Sequence, residues 1–187
     1  KDLSPLTLKE LGQYSDPLYL PLTVAGHFNR EQYFLLDNQI FKGKAGYAVI
    51  MPFKTDHNQL VLVNRGWVAA ESRSILPGAA IDDQHYQLTG TIYAPMGKSF
   101  LLKEDLWGQD WPKVIQAMDF GKASASLGEK LPAFFLNLNE HQPAVLQVKK
   151  PKIAMSSDKH MGYAFQWFTM AFVLIGLYLF QMRKEEK

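Results

Sequence analysis

Between Met161 and Met182 the chain has no charged side chain, and no other feature narrows its possible folds so far. A bilayer core takes roughly 20 apolar residues of helix to cross, and soluble helices seldom stay apolar on every face for that length. Phe165, Trp167, Phe168, Met170, Phe172, Val173, Leu174, Ile175, Leu177, Leu179 and Phe180 fill the stretch. Tyr163 and Trp167 lie near one end and Tyr178 near the other, as interfacial aromatic belts do. Lys149, Lys150, Lys152 and Lys159 precede the stretch, and Arg183, Lys184 and Lys187 follow it, so flanking charge does not orient it. The expected organisation is a β-rich domain over 1–148, a basic linker over 149–159, a transmembrane helix over 160–182 and a charged tail over 183–187.

The first 148 residues hold the remaining information. The chain has no cysteine, which excludes disulfides, zinc fingers, Cys-x-x-Cys redox chemistry and covalent c-type haem attachment. The formal net charge is +2 with no dense basic stripe, so nucleic acid is not an expected partner. Lys149, Lys150 and Lys152 form the one basic cluster, placed to meet lipid headgroups. Period-two alternation from Leu18 to Phe28 predicts a strand, with Pro21 favouring an edge or irregular one. Further strands are expected over 33–37, 46–53, 59–69, 86–93, 99–102, 133–139 and 144–148, with turns at "FKGKAG" and "TDHN". Asp110 and Pro112 read as the cap and first turn of a helix burying Val114 and Met118. A second short helix is expected over 123–129. The fold class is mainly β (α+β), a mixed or barrel-like sheet with one or two short helices, followed by the membrane helix.

"LVNRGWV", Leu62 to Val68, is the most distinctive soluble segment. As a strand it turns Val61, Val63, Arg65 and Trp67 to one side and Leu60, Leu62, Asn64 and Gly66 to the other. Two readings fit. In one, Arg65 pairs internally beneath Trp67; in the other, Arg65 and Trp67 form an exposed ledge for a ligand or partner. The five histidines, His27, His57, His85, His141 and His160, show none of the local spacings of a metal site. No nucleophile elbow, phosphate loop or dinucleotide fingerprint is present, so an enzyme is not expected. At about 100° per residue His160, Ala164, Trp167, Ala171 and Tyr178 share one stripe of the membrane helix. Small alanines there leave room for a flat ring or another helix. An imidazole at the end of a membrane helix can ligate haem iron or simply meet headgroups; the pattern allows both. Gln166 lies about 120° away around the helix, on a different face.

Taken in order, "G-x-F" at Gly26 to Phe28, "G-x-x-G-Y" at Gly43 to Tyr47, "VLVNRGWV" at Val61 to Val68 and "H-x-x-Y-A-x-Q-W-F" at His160 to Phe168 resemble the Surfeit locus protein one family, assembly factors for haem–copper cytochrome c oxidase. The resemblance runs over nearly the whole chain. It implies a first membrane helix before Lys1, a main domain on the outer side of the inner membrane, and a tail in the cytoplasm or matrix. The implied function is to assist haem a insertion into, or maturation of, oxidase subunit I. Its implied partners are subunit I, the haem a synthesis and insertion machinery and membrane lipid. On that reading His160 ligates the iron of a transiently held haem a, Tyr163 and Trp167 flank the ring, and Arg65 and Trp67 meet a propionate or a partner carboxylate. The alternative is a cofactor-free, membrane-anchored chaperone for oxidase subunits. The first motif departs from the family's frequent "G-R-F-D": Asn29 stands in the aspartate's place, so no role of that aspartate carries over.

Overall fold

The structure is a computed structural model describing residues 4–71, 75–95, 105–148 and 157–185, without the side chains of 157–160 and 185. Two compact units result, Lys1–Lys149 and Lys150–Lys187. The first begins with a single helical turn, α1 (Leu8–Leu11), and continues through β1 (Pro21–Phe28), β2 (Phe34–Phe41), β3 (Lys44–Thr55), β4 (Leu60–Ala69), β5 (Tyr86–Tyr93), β6 (Lys113–Ile115), α2 (Phe120–Leu127) and β7 (Phe135–Leu138). The expected strand over 99–102 lies outside the described residues.

Five of these strands close on themselves. β1 pairs with β5, β5 with β7, β7 with β4, β4 with β3, and β3 returns to β1. The β4–β7 and β2–β6 pairings are parallel and the rest antiparallel, so the sheet is mixed as well as barrel-like. β3 serves two neighbours in turn: Phe53–Thr55 close the ring on β1, while Lys44–Ile50 pair with β2, which carries β6 as an outer flange. Closure turns on Gly26, which pairs with both Tyr86 of β5 and Thr55 of β3. A Cβ there would stand 2.0 Å from the Lys54 carbonyl oxygen, so any side chain would push the closing strands apart. Pro21 opens β1, a position where its missing N–H removes no central ladder bond.

Alternation along the strands feeds two cores. Val61 and Val63 of β4, Val49, Met51 and Phe53 of β3, and Leu136 and Leu138 of β7 join Leu22, Leu88 and Ile92 inside the ring. Their neighbours Leu60, Leu62, Ile50 and Phe135 face outward, where Ala123 of α2, Phe34, Ile115 and Leu131 cover them. A strand apolar on both faces is thus explained: β4 is a wall between two cores. Fully burying one such side chain is worth about 1.5–3 kcal/mol.

Three expectations are corrected. The helix begun at Asp110 does not form; Lys113–Ile115 is strand β6 along β2, with the Lys113 amide donating to the Tyr33 carbonyl at 3.0 Å. Lys113 and Ile115 are buried while Val114 is 37% exposed, a period of two that a buried lysine conceals. The Lys113 ammonium donates to the carbonyls of Gly108 and Gln109 and lies over the Trp111 ring. Asp105 accepts from the Gln116 and Ala117 amides at 2.8 and 3.3 Å, fixing the chain as it leaves β6. The strand expected over 144–148 shrinks to one bridge, Gln147 to Trp67. α2 starts three residues earlier than 123 because Asp119 caps it, accepting from the Lys122 amide at 3.0 Å.

The second unit is one unbroken helix, α3 (Ser157–Glu185). Its segment Met161–Lys184 is long and apolar enough to cross a membrane, with none of it buried within the fold. At about 1.5 Å per residue the apolar segment exceeds a hydrocarbon core of about 30 Å.

Candidate functional site

The "VNRGWV" motif is built around a β-bulge. Val49 of β3 faces Gly66 and Ile50 faces Asn64, so Arg65 is the extra residue on β4. Asn64 ties the bulge down from its own side: its Oδ1 accepts the Gly66 amide at 3.0 Å and its Nδ2 donates to Asn137 Oδ1 on β7 at 2.8 Å. Arg65 enters the ring and is 4% exposed. Its Nε donates to the Ala144 carbonyl at 2.7 Å, one terminal nitrogen to the Ala79 carbonyl at 2.9 Å and the other to the Ala80 carbonyl at 3.4 Å. Met51 Sδ lies 3.1 Å away and the Phe28 ring lies 5.7 Å beneath the guanidinium. No carboxylate pairs with it among the described residues. Burial lowers its pKa from the ordinary value and the nearby Tyr86 phenol partly offsets this. A buried cation is tolerable only when its protons are matched, and here backbone carbonyls do the matching.

Trp67 is buried too, 5% exposed. Its indole crosses Gly46 of β3, where a Cβ would meet the ring at 2.6 Å, and donates to the Gln39 carbonyl of β2 at 2.9 Å. The "G-x-x-G-Y" and "NRGW" motifs are therefore two halves of one contact. Gly66 has φ +115 and a Cβ would stand 2.6 Å from the Gln147 carbonyl oxygen. The chain at 144–147 runs against β4 there, with Leu146 N donating to Arg65 O at 2.6 Å and Trp67 N to Gln147 O at 2.7 Å. In this conformation Arg65 and Trp67 belong to the interior and form no exposed ledge.

His160 lies in the first turn of α3, and its side chain is outside the described residues. Tyr163 and Trp167 lie four apart on the same unbroken helix, 54% and 68% exposed. One face therefore carries both rings one turn beyond His160 and upward. Gln166 and Thr169 interrupt the apolar surface; Thr169 Oγ1 donates to the Phe165 carbonyl at 2.9 Å.

Sequence reasoning missed one cluster. His85 Nε2 contacts both Asp56 carboxylate oxygens at 2.9 and 3.0 Å, and His27 stands edge to face with His85 at 5.2 Å. These residues come from β1, the β3–β4 turn and the approach to β5, so no local spacing could reveal them. Among the described residues no group of three or more His, Cys, Asp or Glu is placed to hold a metal ion. A groove of about 640 Å³ lies between α1, the start of β4 and the 129–134 segment, walled by Leu8, Leu11, Leu60, Leu131 and Phe134. Of the described motif residues only Val61, at the edge of "VLVNRGWV", lines it.

The motifs thus occupy the points where the ring closes, where the bulge forms and where the membrane helix starts. The model of the SURF1 family matches residues 2–172, a span that contains all four. The chain belongs to the SURF1 family. This ties it at family level to the cytochrome oxidase assembly factors. A SURF1-like protein of Rickettsia bellii is 28% identical over 176 residues, covering 90% of this chain and 71% of that protein. A SURF1-like protein of Rickettsia felis is 28% identical over 180 residues, covering 92% and 78%. An uncharacterised SURF1-like protein of Mycobacterium bovis is 26% identical over 199 residues, covering 100% and 72%.

Proposed function

We propose that this chain is a membrane-anchored assembly factor for haem–copper cytochrome c oxidase that assists haem a insertion into subunit I. The observation that carries this reading is the family match over residues 2–172, which includes both the bulge motif and the head of α3. In the proposed arrangement residues 1–148 lie on the outer side of the inner membrane and the tail after α3 lies inside. His160 ligates the haem iron, and Tyr163 and Trp167 flank the ring. A neutral imidazole is a suitable axial ligand, and two exposed aromatic rings on the same helical face suit a flat macrocycle. Subunit I and the haem a synthesis and insertion machinery are the proposed partners. A contact from Arg65 to a propionate or partner carboxylate requires the 79–80 or 144 carbonyls to move aside first, since they hold the guanidinium's protons, and one from Trp67 requires its indole to leave the Gln39 carbonyl.

That engagement of Arg65 favours a second reading, a cofactor-free chaperone whose barrel meets oxidase subunits without touching haem. One experiment separates the two. The full-length protein is co-expressed with the haem a synthesis enzymes, purified in detergent and examined by its optical spectrum. The haem-holding reading expects a Soret band that His160→Ala strongly diminishes. Equal haem in both proteins removes His160 as the ligand. Co-purified oxidase subunits without any Soret band, with haem a supplied, support the cofactor-free reading.

A further inference from the structure

Arg65 joins two stretches of chain that belong to no named strand. One is the 79–82 loop, which offers the Ala79 and Ala80 carbonyls. The other is the 144–147 strap, which offers the Ala144 carbonyl and lies along β4 through Leu146 and Gln147. Neither stretch is part of the closed ring, so both can leave without breaking its ladders. The guanidinium fork is what they share. Its donors diverge in a fixed plane, so one side chain spans two segments some sixty-five residues apart in sequence.

The strap is held under strain. Ala144 has φ +66, a left-handed conformation unfavourable for a residue with a Cβ. Its carbonyl accepts the shortest of the Arg65 side-chain bonds, 2.7 Å. Losing that acceptor would leave a buried cation short of partners, and losing the cation would leave Ala144 free to relax. The cation thus holds the strap against the strain at Ala144, which favours release. The loop is tied in the same way: Ala79 is buried in the ring core, and two residues after Ala80 the Asp82 carboxylate accepts the Tyr86 hydroxyl.

We propose that Arg65 is a latch that makes the 79–82 loop and the 144–147 strap open and close as one unit. The strap runs in sequence directly towards the linker and α3. A pull on the chain between barrel and membrane helix is therefore relayed through Arg65 to the loop, leaving the ring closed.

Residues 1–187 contain no cysteine, which makes a clean test possible in this detergent-solubilised chain. Ala79→Cys places one buried thiol in the loop, and its alkylation rate reports loop opening. Hydrogen exchange at the Leu146, Gln147 and Trp67 amides reports strap opening. The latch expects the two opening constants to agree in the otherwise native chain; distinct constants overturn it. Arg65→Lys keeps the charge but not the fork, and is expected to raise both rates at least tenfold while the Leu62 and Val63 amides of the ring hold. Acceleration of one segment alone, of neither, or of the ring by the same factor overturns the proposal. Ala144→Gly relieves the strained residue without touching Arg65 or the loop. It is expected to slow alkylation at position 79, a response that a merely local role for Ala144 would not produce.

Discussion

The barrel and the membrane helix use the same kinds of side chain in opposite ways. In the barrel, Phe53, Leu62, Leu88, Ile92 and Leu136 are fully enclosed, sorted by alternation into an inner and an outer core. On α3, Phe172, Leu174, Leu177 and Phe180 all face outward and none of the span is buried. Some polar groups are treated alike in both places, matched by backbone carbonyls. Arg65 and Lys113 are so matched in the barrel, and Thr169 is on its own helix. The difference is therefore one of solvent. The barrel makes its own apolar interior, whereas α3 requires one to be supplied.

The comparison can be broken most forcefully by deleting the same side chain in each region. Leu136→Ala is expected to cost the barrel about 2–5 kcal/mol, while Leu177→Ala leaves barrel stability unchanged. Denaturant titration in detergent, followed by tryptophan fluorescence, would contradict the division if the two shifts were alike. A charge gives the reverse asymmetry. Leu174→Arg, near the middle of the span, is expected to weaken membrane insertion by about 2.5–3.5 kcal/mol without altering the barrel's melting. Carbonate extraction of membranes measures the first and circular dichroism the second; full retention in the membrane pellet would count against α3 as a lipid-facing span. The smallest effect concerns pH. Burial and, next, its bond to Asp82 raise the Tyr86 pKa from the ordinary 10.0. The folded state then keeps a proton that the unfolded state loses, so this contribution to stability is full below the unfolded pKa and is lost as pH rises through the folded value. Stability curves at pH 9 to 11 should show this slope, and Tyr86→Phe should remove it.

How much of this is written locally differs from element to element. β1 and β5 announce themselves through alternation, β3 and β4 through apolar runs, and the two apolar faces of β4 follow directly from Leu60 to Val63. Ring closure does not, because it depends on Gly26 meeting Lys54, a contact that no periodicity encodes. The bulge at Arg65 is equally silent: Asn-Arg-Gly has no apolar rhythm, and the choice between ledge and interior rests on carbonyls contributed from 79, 80 and 144. β6 is hidden because Lys113 is a lysine at a buried position, satisfied by carbonyls and an indole rather than by water. The motif at the head of α3 is the converse case. Its placement on one helical face is legible from spacing alone, since a continuous helix converts residue number directly into angle.

Because the ring is closed, the sheet's outer boundary falls to the flange, where β6 is three residues long. Anchored proteins share a surface rather than a volume, and their domains meet at high local density. A long open strand edge would then invite copy-to-copy zippering. A boundary strand of three residues, laid along Phe34–Leu36 of β2, offers few ladder bonds to a neighbour, so β6 is a poor template for a strand from another copy.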